Sequence, residues 1–246
     1  MPSIRRYLRH LWLSFTLLPG LASAHALEIQ GSNAIGATLA PMLMTGFLQQ
    51  LTGNPVTARP TGTANETALA TSYNGKPMTV LVAAHGTSTG FSALAADHAD
   101  IWAASRRVKG SEREAMTSRA DMTSPDSEHV IAIDGLAILV HPSNPVEQLN
   151  IDTLARVFAG EISNWSEVGG PDRPIRIYAR DEQSGTWDTF KELVLAGRYN
   201  LTPSAQRYES NDQLSNDVSN DPSGIGFAGF ASAGNSKLLA IADGNA

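Results

Sequence analysis

A polar stretch that contains one arginine carries residue types suited to binding an anion. It reads Ala-Arg-Asp-Glu-Gln-Ser-Gly-Thr-Trp over residues 179–187. Arg180 can present a planar fork of donors to a tetrahedral oxyanion. Ser184 and Thr186 can donate hydrogen bonds, and Gly185 lets the backbone approach closely. Ser184 and Thr186 are equally suited to capping a helix, which would leave Arg180 as an ordinary surface residue.

The flanking residues predict that this stretch connects a strand to a helix. Residues 174–178 alternate between apolar and polar types, whereas residues 187–195 have apolar side chains at helical spacing. The free N–H groups of a helix's first turn and the positive end of its dipole favour an anion at such a junction.

Two earlier stretches are predicted to have the same arrangement. Residues 27–51 contain a strand pattern, the polar loop Gly31-Ser32-Asn33 and an apolar helix pattern. Residues 78–96 contain a buried strand pattern, the loop Gly86-Thr-Ser-Thr-Gly90 and a helix pattern. Three such loops and one arginine would form an oxyanion cage if the fold brought them together.

The first 26 residues have a pattern typical of a secretory signal. A basic region from Arg5 to Arg9 precedes a short apolar core at residues 11–18 and a small-residue cleavage site at 22–24 or 24–26. The apolar run is too short for a membrane span. We therefore expect export to the periplasm or the medium, with cleavage of this segment.

The charge balance argues against nucleic acid as a ligand. The first 26 residues carry three of the 18 Lys and Arg and none of the 24 Asp and Glu, so the remainder has a net charge of −9. Nucleic-acid binding calls for a basic face, and any anion site must here be local. The sequence has no cysteine, which excludes disulfides and thiolate metal sites.

Strand and helix patterns alternate through the rest of the chain, which predicts an α/β fold with largely parallel sheets. Residues 130–133 and 136–140 are predicted to be strands. Residues 151–159 are predicted to form a helix capped by Asn150 or Asp152.

Six motifs, in their order and spacing, resemble the periplasmic phosphate-binding proteins of the PstS type. They are Gly31-Ser-Asn-Ala-Ile-Gly36, Gly86-Thr-Ser-Thr-Gly90, Ala99-Asp-Ile-Trp-Ala-Ala-Ser-Arg106, Phe158-Ala-Gly-Glu-Ile-Ser-Asn-Trp165, Arg180-Asp-Glu-Gln-Ser-Gly-Thr186 and Gly224-Ile-Gly-Phe227. Each motif alone is a weak signal, but together they span nearly all of the chain after residue 26.

The resemblance implies a two-lobed periplasmic binding protein fold, in which each lobe is a mostly parallel sheet flanked by helices and the ligand lies in the cleft between lobes. By that analogy residues 27–139 and 225–246 form lobe 1, and residues 140–224 form lobe 2. Carried over position by position, the expected anion contacts are Ser32, Asn33, Ala34, Ile35, Ser88, Thr89, Arg180, Ser184, Gly185 and Thr186.

The resemblance also implies a non-enzymatic, exported protein that binds phosphate or a similar oxyanion, for an ATP-driven importer (an ABC transporter) or for sensing. We expect a monomer without cofactor, metal or nucleic acid. The chain ends where relatives usually continue, so we expect either a shortened lobe or part of a longer protein.

Two departures from the family pattern bear on selectivity. Family members often have a hydroxyl where this chain has Ala34 or Ile35, and some have a proton-accepting aspartate where it has Arg106. An arginine side chain can only donate hydrogen bonds, whereas hydrogen phosphate needs an acceptor that sulfate does not. Unless Asp181, Glu182 or another carboxylate supplies that acceptor, we predict loose discrimination between phosphate and sulfate.

A secreted serine hydrolase is the alternative. Residues 86–90 also fit the pattern G-x-S-x-G between a strand and a helix, and Asp134 and His141 follow Ser88 in the order of that fold. This pentapeptide often arises by chance in Gly/Ser/Thr-rich sequence, and the hydrolase interpretation leaves residues 180–186 unexplained. The histidines show no metal-ligand spacing.

Overall fold

The computed structural model of the protein describes residues 27–242. The predicted export signal, residues 1–26, lies outside the described residues. Within the described part of the chain, no helix has both the length and the apolar character needed to cross a membrane.

Most strands belong to two five-stranded sheets. In chain order the strands are β1 (Leu27–Gly31), β2 (Thr57–Pro60), β3 (Glu66–Tyr73), β4 (Lys76–Ala83), β5 (Ile101–Ala103), β6 (Leu136–Val140), β7 (Gln148–Asn150), β8 (Arg176–Arg180), β9 (Gln206–Tyr208), β10 (Gly224–Gly229), β11 (Lys237–Leu238) and β12 (Ala240–Ala242). The first sheet has the order β2-β3-β4-β1-β5, the second has the order β11-β6-β10-β8-β9, and β12 pairs with β7.

Each large sheet is mixed rather than mostly parallel. The first sheet joins β4, β1 and β5 in parallel and β2, β3 and β4 antiparallel. The second joins β10, β8 and β9 in parallel and β11, β6 and β10 antiparallel. In both sheets the parallel strands include those that lead into the candidate anion loops.

Seven α-helices flank the sheets in the described residues. They are α1 (Asn33–Gly36), α2 (Leu39–Thr52), α3 (Thr87–Ala95), α4 (Gly110–Met116), α5 (Ile151–Ala159), α6 (Gly185–Phe190) and α7 (Asn211–Asn220). One wider helical turn, Lys191–Leu195, continues α6. The predicted helix at residues 34–51 is therefore two helices, and α3 begins earlier than predicted.

Helix α5 shows how local sequence sets an element's bounds. Asn150 caps it by accepting a hydrogen bond of 2.8 Å from the N–H of Thr153. Gly160 ends the helix in the left-handed conformation, with φ of 80°, which a glycine adopts at little cost. The predicted helix and its Asn150 cap are confirmed.

The sheet pairing of β10 differs from what the predicted division into lobes implies. Residues 225–246 were expected to return to lobe 1, but β10 pairs with β6 and β8 in the second sheet. All six residues of β10 are buried, and Ile225 and Phe227 pack in the core of that sheet. The described chain therefore crosses between the sheets once, between β5 and β6. The described residues before this crossing are called the first lobe, and those after it the second lobe.

The predicted strand at residues 130–133 does not form. These residues lie in the connection between the sheets, and neither large sheet includes them. Ile133 is 96 % exposed. A strand needs a neighbour to pair with, and the described residues supply none at this position.

Candidate functional site

Three loops contact one another at the boundary between the lobes: β1–α1 and β4–α3 from the first lobe, and β8–α6 from the second. The N–H of Gly86 donates to the carbonyl of Gly31 over 2.7 Å, which joins the first two loops. The N–H of Ser88 donates to the carbonyl of Gln183 over 3.0 Å, which joins the lobes. The three polar loops predicted from the sequence thus lie together.

The side chain of Arg180, at the end of β8, is buried in this region and only 1 % exposed. Its Nε donates to the carbonyl of Tyr208 over 3.1 Å, and its two terminal nitrogens donate to Oδ1 of Asn211 and to the carbonyl of Glu209. All three acceptors are neutral oxygens. Three of the five guanidinium N–H groups are used in this way, which leaves two for a ligand.

Burial lowers the pKa of Arg180 to about 10, although the nearby charges of Asp181, Glu209 and Asp212 act in the opposite direction. The guanidinium is therefore still charged at neutral pH. A buried charge is costly unless an opposite charge accompanies it. Within residues 27–242 no carboxylate forms a salt bridge with Arg180, so the arrangement favours an anion as its partner.

Helix α6 begins at Gly185, shortly after Arg180 in the chain. Ser184 caps it, because its Oγ accepts a hydrogen bond of 3.3 Å from the N–H of Trp187. The hydroxyl hydrogen of Ser184 is not needed for that bond. Ser184 can therefore cap α6 and donate a hydrogen bond to an anion at the same time. Ser184, Gly185 and Thr186 are all buried.

In the β1–α1 loop, the donors available to an anion are mainly backbone N–H groups rather than side chains. Ser32 is buried and makes no capping bond to α1. The N–H of Ile35 donates to the carbonyl of Ser32, and the side chain of Ile35 packs on the first core. The hydroxyl of Ser32 and the first N–H groups of α1, at Asn33 and Ala34, are the donors left for an anion.

The side chain of Asn33 connects the lobes rather than remaining available in the cleft. Its Oδ1 accepts hydrogen bonds from the backbone N–H and from Nδ2 of Asn211, over 3.0 and 3.2 Å. Both residues are buried. Its expected contact with the anion is therefore limited to its backbone N–H.

In α3, the two expected contacts are engaged within the protein. The hydroxyl of Thr89 donates to the carbonyl of Gly86 over 2.8 Å, and Oγ of Ser88 accepts from Arg106 over 3.3 Å. The hydroxyl hydrogen of Ser88 remains for a ligand. Thr87, which the sequence analysis did not select, is fully buried and lies 3.2 Å from the hydroxyl of Ser105.

Arg106 is held by two carboxylates that sequence reasoning missed. Its Nε donates to Asp188 in α6 over 2.7 Å, and its terminal nitrogens donate to both oxygens of Glu112 over 2.7 and 2.8 Å. The remaining N–H groups contact Ser88 and the carbonyl of Arg107. All five donors are used, so Arg106 does not provide a free charge for the anion. The predicted loose selectivity stays a prediction.

His85 forms a second charged contact between the lobes. Its Nδ1 lies 2.6 Å from Glu209 of the second lobe, and its Nε2 lies 3.2 Å from Glu66 in β3. Burial alone would lower the pKa of His85, but the hydrogen bonds to Glu209 and Glu66 outweigh it and raise the pKa above the ordinary 6.5.

The geometry required for a serine hydrolase is not formed among the described residues. Ser88 lies in the first turn of α3, and its Oγ contacts Arg106 rather than a histidine. Nδ1 of His141 contacts Ser143, and Asp134 accepts the N–H of Gly135. A nucleophile needs its base within hydrogen-bonding distance. The part of the chain described here also contains no group of three His, Cys, Asp or Glu that could hold a metal ion.

Similarity to known proteins places the chain in a known class. Residues 52–246 match the family described as PBP superfamily domain, and the chain belongs to that superfamily. Protein SphX of Synechococcus elongatus is 34 % identical over 183 residues, which cover 69 % of this chain and 52 % of SphX. Phosphate-binding protein PstS of Bacillus subtilis is 28 % identical over 162 residues, which cover 66 % and 51 % of the two chains.

Solved structures agree with this placement. A phosphate ABC transporter substrate-binding protein from Clostridium perfringens superposes with a TM-score of 0.66 at 24 % identity, covering 87 % of this chain and 75 % of that one. An ABC-type phosphate transport receptor from Vibrio cholerae gives 0.58 at 26 % identity, covering 88 % and 78 %. The predicted fold and the resemblance to the PstS type are confirmed. The chain spans about half the length of the curated relatives it matches.

Proposed function

We propose that this protein binds phosphate or a similar tetrahedral oxyanion between its two lobes. The observation that carries the proposal is Arg180, a buried guanidinium held only by neutral oxygens, with two N–H groups left over. Such a charge is stabilised by an anion that accepts both N–H groups at once.

The other donors around Arg180 suit the same ligand. Ser184 and Thr186 lie in the first residues of α6 or at its cap, and Ser32 precedes α1. These hydroxyls and the free backbone N–H groups beside them supply donors from both lobes, so an anion bound there would hold the lobes together. The relatives that are named as phosphate-binding proteins support phosphate as the first candidate.

The proposed biological setting is uptake. We infer that the protein is exported, acts as a monomer in the periplasm or outside the cell, and delivers its anion to the permease of an ABC transporter or to a sensor. The acidic charge of the chain after residue 26 supports a small anion rather than nucleic acid. No catalytic step, cofactor or metal is part of the proposal.

The test is titration calorimetry of the purified protein with inorganic phosphate. Wild type should bind one phosphate, and Arg180→Ala should weaken binding by roughly 2–5 kcal/mol, because one partner of a desolvated charge pair is lost. Arg176→Ala is the matched control: Arg176 lies on the same strand, but its side chain is 55 % exposed and pairs with Asp221.

We expect Arg176→Ala to bind as wild type does. Circular dichroism checks that both variants are folded. A wild-type protein that does not bind phosphate, arsenate or sulfate would refute the proposed function. Unchanged affinity in a folded Arg180→Ala variant would show that the anion lies elsewhere.

A further inference from the structure

Asn211, the first residue of α7, is a buried amide that links the guanidinium of Arg180 to the opposite lobe. It is 1 % exposed. Its Oδ1 accepts from a terminal nitrogen of Arg180 and from the N–H of Gly229. Its Nδ2 donates to Oδ1 of Asn33 over 3.2 Å, beside the bond of 3.0 Å from its own backbone N–H.

The orientation of both amides follows from this chain of bonds. Arg180 and the N–H of Gly229 can only donate, so the amide oxygen of Asn211 must face them. Its nitrogen must then face Asn33, where the oxygen of Asn33 accepts two donors. Arg180 thereby determines the orientation of Asn211, and Asn211 determines that of Asn33 across the lobe boundary.

The lack of charge on Asn211 is as important as the geometry of its hydrogen bonds. An aspartate at this position could accept from Arg180 equally well, but it would pair with the cation and cancel its charge. It would also direct a carboxylate oxygen at Oδ1 of Asn33, to which Asn211 now donates. An amide holds the guanidinium in place and leaves its charge for the anion.

We propose that Asn211 is a positioning residue for the oxyanion: it holds Arg180 without neutralising it and couples that arginine to Asn33 of the other lobe. This inference rests on the proposed function. It assigns Asn211 no contact with the anion.

The first test is Asn211→Asp, measured for phosphate affinity and for thermal stability. We expect phosphate affinity to fall about 10- to 100-fold, the range for one lost interaction with a charged group. The melting temperature should change little, because the new salt bridge to Arg180 and the favourable position of a negative charge at a helix N-terminus offset the lost hydrogen bond to Asn33. A merely structural residue would lose stability and affinity together.

The matched control is Asn216→Asp, which makes the same change at an exposed position of the same helix. It should bind phosphate as wild type does. If Asn211→Asp binds phosphate as tightly as wild type, or if it fails to fold, the proposed function of Asn211 is refuted. If wild type itself binds no oxyanion, the proposed function of the whole site has failed instead.

A second test uses truncation and does not depend on the aspartate variant. Asn33→Ala, Asn211→Ala and the double variant form a cycle for phosphate affinity. Because both residues act through one chain of hydrogen bonds, the double variant should lose little more affinity than Asn211→Ala alone. Losses that simply multiply would refute the coupling between the lobes.

Discussion

At the scale of single residues, Gly185 lies where the two lobes approach so closely that a Cβ atom would clash. A Cβ on Gly185 would lie 2.5 Å from Oγ1 of Thr87, which belongs to the other lobe. A Cβ on Gly86 would similarly lie 2.6 Å from the carbonyl oxygen of Gln183. Real Cβ atoms do not approach so closely, so the two backbones can meet here only without side chains.

We predict that Gly185→Ala weakens phosphate binding while leaving each lobe folded. The methyl group would oppose closure, and overpacking of a well-packed contact costs roughly 1–3 kcal/mol. Calorimetry gives the affinity, and small-angle X-ray scattering gives the compaction on adding phosphate, which should be smaller than in wild type.

Gly46→Ala is the control for Gly185→Ala. Gly46 lies within α2, and a Cβ there would meet nothing within 4 Å. It should leave affinity unchanged and add about 0.5–1 kcal/mol of stability, as expected for Ala in place of Gly inside a helix. Wild-type affinity and compaction in Gly185→Ala would contradict the close approach of the lobes.

The sequence could predict Arg180 but not its surroundings. An arginine four residues before Ser-Gly-Thr is a local pattern, whereas the acceptors that hold it, at positions 208, 209 and 211, lie about 30 residues further along. For Asn33, the position in the fold could be predicted but the partner of its side chain could not. Its position beside a helix start was read correctly, but its side chain is used by Asn211, 178 residues away.

At the scale of secondary-structure elements, β10 is the centre of the second core. Phe227 of β10 is fully buried and stacks on Phe190, with ring centroids 3.9 Å apart and planes 7° apart. Its ring also lies 5.7 Å from that of Phe158 in α5. Through these rings β10 fixes α6, which follows Arg180 in the chain, against the second sheet.

We predict that Phe227→Ala lowers the free energy of unfolding by about 3–5 kcal/mol, since it removes a large buried ring and leaves a cavity. Phe230→Ala is the control three residues later, where the side chain is 58 % exposed, and its effect should stay within about 0.5 kcal/mol. Urea denaturation followed by tryptophan fluorescence measures both. Similar small effects for the two variants would show that β10 is not part of this core.

Helices and strands marked by local sequence signals could be predicted, but the strands that pair with one another could not. Helix α5 follows from its apolar spacing, its Asn150 cap and the glycine that ends it. Which sheet receives β10 depends instead on contacts with β6 and β8, far away in sequence. The apolar run at 130–133 has the composition of a strand, yet composition cannot supply a partner strand.

At the scale of the whole molecule, three kinds of side-chain contact hold the two lobes together, in addition to the backbone bond from Ser88 to Gln183. The pair Asn33–Asn211 is buried and neutral. Asp188 of the second lobe pairs with Arg106 and Lys109 of the first, each over 2.7 Å. His85 pairs with Glu209 across the same boundary, and it is the contact whose charge changes near neutral pH.

The contact of His85 makes closure depend on pH in a definite direction. Burial lowers the pKa of His85, but its hydrogen bonds to Glu209 and Glu66 raise it overall. Because Glu209 belongs to the other lobe, its share of this effect means that protonation favours contact between the lobes. The stabilisation is fully present below the ordinary pKa of 6.5 and is lost as the pH rises through the raised value. Glu66 in β3 and Glu209 before α7 are the charged groups that face the imidazole.

We therefore predict that wild type binds phosphate more tightly than His85→Gln at pH 6, and that this advantage disappears as the pH rises above the raised pKa. The factor should be about fivefold or less, because both side chains are partly exposed and such pairs contribute about 1 kcal/mol at most. Phosphate itself ionises in this range, but the ratio of the two affinities at each pH removes that effect. His98→Gln, an exposed histidine of the same lobe, should follow wild type throughout. A ratio that stays constant with pH, or that grows as the pH rises, would show that His85 does not hold the lobes closed.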